Sequence, residues 1–459
     1  MTSLLSGDAR LVEPATGRVH GGDGLADAVA DRAARLLETS AGPVFLAARL
    51  DLETVVTYLA CWESQRAVAL IDPGLDRDAL EVLLNRYRPA TLAGEWDPVL
   101  RREFKSTDAG GGLWTRDASA AETHPDLGVL LATSGSTGSP KLVRLSWSAV
   151  TANARSIATA LSIGSDEVAP TSLPIFYSYG LSVLNSHLAV GATVVLTTGG
   201  ILDRAFWTAF DDHRCTSLAG VPYHYSMLRR LRFDPSAHQS LRTLTQAGGR
   251  LAPELVQDFA SRIEAVGGRM FVMYGQTEAT ARIAVVPPDR LLEKVGSGGR
   301  AVPGGRLQIA DLDQETGVGE VVYQGPNVMM GYAESAEDLR CGDDLGGTLR
   351  TGDLGYLDDE GFLFLTGRSK RIGKVFGVRV NLDDIEHLLR DRGPVAALPG
   401  SDAVIVWLEG STDENRRVVS RWLAEQLHLH ASGFDVRSVE RLPLLGNGKI
   451  DYRSLEGET

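Results

Sequence analysis

Cysteine is scarce in this 459-residue chain, and Cys61, Cys215 and Cys341 lie far apart, in no Cys-x-x-Cys or similar metal-ligand pattern. That scarcity excludes a disulfide framework and a zinc module, and leaves three thiols expected to be buried or incidental. Long apolar runs are missing too, so nothing reads as a bilayer-spanning helix. The N-terminus, Met1-Thr-Ser-Leu-Leu-Ser-Gly-Asp8, lacks the basic segment and apolar stretch of a secretory leader, which makes the cytoplasm the expected address. Basic residues are outnumbered, 46 Lys and Arg against 59 Asp and Glu, for a formal net charge of −13. Such a field repels nucleic acid and anionic membrane surfaces and leaves room only for a locally basic pocket. Internal repeats and low-complexity tracts are absent. What is present is 43% hydrophobic and 23% charged residues, the balance of a globular chain long enough for more than one core.

The first third alternates two periodicities. Leu25 to Leu37 and Leu52 to Trp62 repeat at helical spacing, whereas Val44 to Ala48 and Ala67 to Ile71 are short apolar runs of the buried-strand kind. Further runs at Ala192 to Leu196 and Thr216 to Gly220 extend the alternation, which predicts an α/β fold of parallel sheets covered by helices. From Arg306 to Leu365 short strands separated by Gly and Asp turns predict a small antiparallel sheet or distorted β-barrel. After Gly367-Arg-Ser-Lys-Arg the pattern restarts with Ile372 to Val380 and a helix from about Asn381. A hairpin turning at Pro399-Gly-Ser-Asp and a charged helix from Asp413 to Gln426 follow. A boundary near 369 is therefore expected, separating a large domain, 1–368, from a small α+β domain, 369–459.

The sharpest local signal is Leu130-Leu-Ala-Thr-Ser-Gly-Ser-Thr-Gly-Ser-Pro-Lys141. An apolar strand breaks into small hydroxylated and glycine residues and ends on a lysine. Small residues let backbone N–H groups approach phosphate oxygens, hydroxyls add donors, and the lysine adds a point charge. A flexible linker would account for the Gly and Ser but not for the strand before them or the Pro-Lys after. The common P-loop is excluded, because Pro140 precedes Lys141 and no Ser or Thr follows it.

With this loop the sequence resembles the adenylate-forming superfamily: acyl-CoA synthetases, aryl-acid ligases, peptide-synthetase adenylation domains and firefly luciferase. Further motifs follow in the family's order: Tyr274-Gly-Gln-Thr-Glu278, Gly319-Glu-Val-Val-Tyr-Gln-Gly-Pro-Asn-Val-Met-Met-Gly-Tyr332, Thr351-Gly-Asp353, Gly367-Arg368, Gly377 with Arg379, and Gly446-Asn-Gly-Lys449. The resemblance covers nearly the whole chain. It implies activation of a carboxylic acid by ATP and Mg²⁺ to an acyl-AMP, then acyl transfer to a nucleophile.

The resemblance also implies roles. Thr133, Ser134, Gly135, Ser136, Thr137, Gly138 and Lys141 would hold the β and γ phosphates, Thr277 would touch the α phosphate, and Glu278 would help hold Mg²⁺, a cation that prefers carboxylate, phosphate and water oxygens. Gly248, Gly249 and Arg250 match the adenine-facing turn, Tyr274 would stack on the base, and Gly275 and Gln276 complete that segment. Asp353 would accept hydrogen bonds from the ribose hydroxyls, assisted by Arg368. Lys449 would bridge the reacting carboxylate and the α phosphate. Lys370 stands at the family's hinge position, and Gly377 matches the glycine bordering the pantetheine tunnel. Taken singly, Glu278 and Lys449 would be solvated charges and Asp353 and Gly377 ordinary turn residues.

For the acid, Leu173-Pro-Ile-Phe-Tyr-Ser-Tyr-Gly180 puts Tyr177 where the family often has His. A phenol is not ionised near neutral pH and gives an ammonium group no ion pair, which argues against a free α-amino acid. Ala219, Gly220, Val221 and Met273 are small or apolar, as an acyl cavity requires, so a fatty, aryl or otherwise carbon-rich acid is expected. For the acceptor, CoA is favoured. A carrier protein's phosphopantetheine or an amine is the alternative, and a non-catalytic nucleotide-binding relative is a more distant one. The sequence departs from the family in Leu142, where Gly is common, in a short region before the loop, and in a short small domain.

Overall fold

The computed structural model describes residues 4–107, 112–116, 120–132, 141–368, 371–375, 378–400, 403–427, 429–445 and 449–456, with backbone only at 372, 374, 378, 379 and 381. By its internal contacts the chain divides into two units: Met1–Leu307 with Tyr323–Leu349, and Gln308–Val322 with Arg350–Thr459.

The first unit is α/β, as the alternating periodicities predict. Val44–Ala47 and Val68–Ile71 are buried along their whole length and pair in parallel, the environment that an uninterrupted apolar run requires. They lie in an eight-stranded sheet with Leu127–Ala132, Leu142–Ser146 and Gly331–Ala333 on one side and Thr91–Ala93, Leu113–Thr115 and Lys105–Ser106 on the other. Helix Asp23–Leu37 buries Leu25, Val29, Ala33 and Leu36, one stripe at helical spacing. Helix Leu52–Glu63 starts where the Asp51 carboxylate accepts the Thr54 N–H, and helix Trp147–Leu161 where the Ser146 hydroxyl accepts that of Ala149.

A second sheet in this unit orders Ser217–Gly220, Thr243–Gln246, Arg269–Tyr274, Ala284–Val286 and Ser297–Ala301. Its first three strands are parallel, with Gly220 beside Gln246 and Gln246 beside Val272, so their C-terminal ends open onto one edge. That edge is where ligands bind in open α/β sheets. A third sheet of four strands joins Val168–Pro170, Thr193–Val195, Arg10–Glu13 and Arg18–Gly21.

The second unit opens with the expected short strands, Arg306–Ala310, Gly319–Gln324, Thr348–Leu357 and Leu363–Arg368, the last two antiparallel. Beyond them come the hairpin Ile372–Val375 with Val378–Asn381, helix Leu382–Leu389, the antiparallel pair Val395–Pro399 and Val404–Glu409, and helix Asp413–Leu427. Their apolar residues form a core around Val404, Val406, Val419 and Leu423, and the alternate strand residues Ala396, Leu398, Ile405 and Trp407 form a second cluster with Leu442 and Leu455.

Cys61 and Cys215 are buried and Cys341 exposed, all as free thiols. Burial pushes the Cys61 and Cys215 thiols up to about 12, which makes them poor nucleophiles. Among the described residues no helix is long and apolar enough to cross a membrane.

Candidate active site

The segment Tyr274-Gly-Gln-Thr-Glu278 begins where strand Arg269–Tyr274 leaves the sheet, and a single turn of 3-10 helix carries Thr277 and Glu278. The chain then reverses sharply. Ala281 N–H donates to the Ala279 carbonyl at 2.7 Å across Thr280, whose φ of 64° and ψ of −55° are those of a strained γ-turn. A β-branched residue at positive φ is a backbone outlier. Here Thr280 Oγ1 offsets part of that cost by donating to the Asn327 carbonyl at 2.7 Å. The reversal folds Ala281 over Gly275, where a Cβ would come within 1.8 Å of the Ala281 carbonyl oxygen. Glycine at that motif position is thus a steric requirement.

At the end of the neighbouring parallel strand, Gly248 has φ +86°, and a Cβ on it would stand 2.4 Å from the Tyr177 hydroxyl. Gln246 holds this turn by donating to the Gly249 carbonyl at 2.8 Å, and Arg250 is exposed beside it. Tyr177 joins Ala219, Val221 and Met273 in one largely apolar cluster, and Gly220 ends the strand that carries Ala219. Burial pushes the Tyr177 phenol up to about 12, so it is neutral at physiological pH. The structure therefore brings Tyr177, Ala219, Gly220, Val221, Gly248, Met273 and Tyr274 to one sheet edge. Thr277 Oγ1 donates to Ser178 Oγ there at 3.2 Å.

Lys141 and Glu278 meet through a residue that motif reading does not single out. The Tyr332 hydroxyl donates to Glu278 Oε1 at 2.8 Å, and Lys141 Nζ lies 5.9 Å from the centre of the Tyr332 ring. Lys141 also pairs with Glu334. Residues 133–138, which carry the rest of the phosphate loop, lie outside the described residues.

In the second unit Asp353 and Arg368 face each other across paired strands, with Arg368 Nε donating to Asp353 Oδ1 at 2.8 Å. The Asp353 side chain is 5% exposed and that of Arg368 56%, so the arginine orients a buried carboxylate. Glu320, inside the Gly-Glu motif, anchors the turn before it: Gly352 N–H donates to Glu320 Oε1 at 3.1 Å, and Thr351 Oγ1 to the Val321 carbonyl at 2.8 Å. Two motifs distant in sequence are thus one hydrogen-bonded unit. Lys449 sits in a hairpin in which Leu445 N–H donates to the Lys449 carbonyl at 2.7 Å and Leu444 bridges Ile450. Lys370 and Gly377 lie outside the described residues.

Tyr332, Glu334 and Glu320 are the residues that sequence reading passed over. Tyr332 and Glu320 fall within the Gly319–Tyr332 stretch, so that motif was the available signal, whereas Glu334 had none.

Comparison with known proteins fits this arrangement. The family model of the AMP-binding enzymes matches residues 24–333. The chain is 32% identical over 373 residues to the indoleacetate–CoA ligase of Aromatoleum aromaticum, covering 75% of this chain and 71% of that one. It is 29% identical over 349 residues to the luciferin 4-monooxygenase of Luciola mingrelica, covering 71% of this chain and 62% of that enzyme, so it spans less than two thirds of that relative's length. In fold it is similar to the o-succinylbenzoate CoA synthetase of Bacillus subtilis, solved with the acyl-adenylate intermediate OSB-AMP, with a TM-score of 0.77, 21% identity, and coverage of 97% of this chain and 94% of that one. The motifs, their order and the fold that gathers them thus have one common source: this chain belongs to the family of AMP-binding, adenylate-forming enzymes.

Proposed function

We propose that the protein is an AMP-forming acid–thiol ligase. The carboxylate of the acid attacks the α phosphorus of ATP and pyrophosphate leaves; the thiol of CoA then attacks the acyl carbon and AMP leaves. The observation that carries this reading is the linkage of Lys141, Tyr332 and Glu278 beside the turn that follows Tyr274, a cation and a carboxylate gathered as a magnesium triphosphate requires. Among the described residues no cluster of three metal-ligating side chains occurs. Mg²⁺ is held by one or two carboxylates together with phosphate and water. Glu278 would supply the carboxylate, and the ion, when bound, neutralises triphosphate charge.

In this reading Lys141 binds the outer phosphates in exchange for Glu334, and the neutral Tyr332 orients Glu278. Tyr274 and the Gly248-Gly249-Arg250 turn receive the adenine, while Asp353, held by Arg368, receives the ribose. Lys449 supplies charge between two anions as they join, which is where electrostatic preorganisation contributes most. Rotation about Lys370 would let one site serve both half-reactions. The acids of the relatives span an arylacetate and a succinylbenzoate, so the acid is read from this chain's own pocket, whose small and apolar walls favour a carbon-rich body. ATP and CoA as co-substrates fit a cytoplasmic address.

Pyrophosphate release with ATP, Mg²⁺ and a panel of acids, with and without CoA, tests the reading. Acid-dependent release accelerated by CoA is expected, with Lys449→Ala slower by at least about a hundredfold. Release indifferent to CoA would move the acceptor to a carrier protein or an amine. No release with any acid would overturn the enzymatic reading.

A further inference from the structure

Glu278 leads directly into the γ-turn at Thr280, a backbone conformation that a β-branched residue keeps only where its surroundings over-determine it. Asn327 provides that over-determination. It is 2% exposed, and its Nδ2 donates to the Ala279 carbonyl at 2.9 Å and to the Arg282 carbonyl at 3.0 Å. The amide therefore grips the reversal on both sides of Thr280, while the Asn327 backbone carbonyl accepts the Thr280 hydroxyl at 2.7 Å. Peptide carbonyls only accept, so the amide nitrogen must face them, and Oδ1 is left for the hydroxyl of the fully buried Tyr323, which donates to it at 2.8 Å.

A second amide closes the far end of the reversal. Asn153, 1% exposed on helix Trp147–Leu161, donates to the Arg282 carbonyl at 3.1 Å and accepts the Arg282 N–H at 3.3 Å. The chain that follows Asn327 then returns to Glu278 itself: Met329 N–H donates to the Glu278 carbonyl at 2.9 Å, and the Tyr332 hydroxyl to Glu278 Oε1 at 2.8 Å. Residues 327–332 thus hold, in order, the turn after Glu278, its backbone and its carboxylate. The residue type at 327 follows from this. Aspartate would set a carboxylate against two carbonyls, and leucine would withdraw a donor from each of them in a buried place.

We propose that Asn327 is a positioning residue for the magnesium ion of MgATP: by clamping Ala279 and Arg282 around the strained turn, it sets the direction in which Glu278 presents its carboxylate. The inference rests on the adenylation reading, which makes Glu278 the carboxylate that meets the metal. Asn327 itself is buried behind the turn and acts through Glu278. Groups that orient a metal-ligating side chain in this way matter to metal affinity nearly as much as the ligand does.

Calorimetric titration with MgATP, and with metal-free ATP in EDTA, tests the clamp without turnover, and acid-dependent pyrophosphate release is followed alongside. Wild type is expected to bind MgATP more tightly than metal-free ATP. In Asn327→Ala that advantage should shrink by at least about tenfold, the scale for a group that holds a metal ligand in place, while affinity for metal-free ATP is unchanged. In turnover, KM for MgATP should rise and KM for the acid stay as it was. General damage to the fold would instead weaken both forms of the nucleotide alike. An advantage that survives in Asn327→Ala, or a loss shared equally by MgATP and metal-free ATP, overturns the proposal. Should Asn327→Ala fail to fold, Thr280→Val decides, because it keeps the shape of the turn and removes only the hydroxyl that the Asn327 carbonyl accepts. A reduced advantage for MgATP in that variant supports the clamp, and a full one overturns it. Wild type that binds neither form of ATP would sink the adenylation reading, and the role of Asn327 with it.

Discussion

At Gly275 the turn leaves no room for a side chain, since a Cβ would lie 1.8 Å from the Ala281 carbonyl oxygen. Gly275→Ala must therefore push apart the γ-turn and the strand end that flank Glu278. A destabilisation of about 3 kcal/mol is expected, at the upper end for overpacking, and denaturant unfolding measures it. Activity lost with stability intact would place the effect in the chemistry instead. Lys141 poses the opposite question, because Glu334 occupies it as a competitor for phosphate. Removing that carboxylate frees the lysine and lowers local repulsion, so Glu334→Gln should lower KM for ATP by about two- to fivefold, the scale of an exposed ion pair. An unchanged or raised KM would show that Glu334 does not compete. Neither effect could be read from the sequence. The glycine's reason is a carbonyl six residues on, and the glutamate's partner, Lys141, stands just before a strand far away in the chain.

Elements set where such residues meet. In the second unit Arg371 pairs with Asp383 and Glu386 from helix Leu382–Leu389 and lies 4.3 Å from the Tyr452 ring. Glu386 also accepts the Ala397 N–H and the Tyr452 hydroxyl, so one carboxylate ties together the helix, a strand and the last helix of the chain. Arg371→Met leaves that carboxylate without its cation, a loss on the order of 3 kcal/mol for a buried pair. It should appear as faster proteolysis within 371–456 and a lower Tm; a melting curve identical to wild type would refute it. At this scale much was legible. Helical spacing from Leu25 to Leu37, the apolar runs at Val44 and Val68, and the hairpin turning at Pro399 each became the element expected, because periodicity and turn chemistry are local. The Glu320 anchor under Thr351-Gly-Asp353 was not legible, because strand register decides it and register is not local.

For the molecule as a whole, the order of the motifs was the strongest sequence signal, and it identified the family without identifying the acid. The acid is decided by the packing and charge around its pocket, which no local motif records. The two half-reactions raise the same issue in time. Under the proposed function the small domain serves first adenylation and then transfer, which needs a pivot, and by the resemblance Lys370 stands where the family has one. Proline at that position restricts φ and limits rotation while leaving every catalytic side chain in place. Lys370→Pro should keep acid-dependent exchange of pyrophosphate into ATP within about threefold of wild type, yet lower thioester formation by at least about tenfold, as gating of one step alone requires. Loss of both half-reactions in equal proportion would mean that residue 370 is structural. Retention of both would mean that the chain turns elsewhere, or that its acceptor reaches the acyl-AMP without any turn.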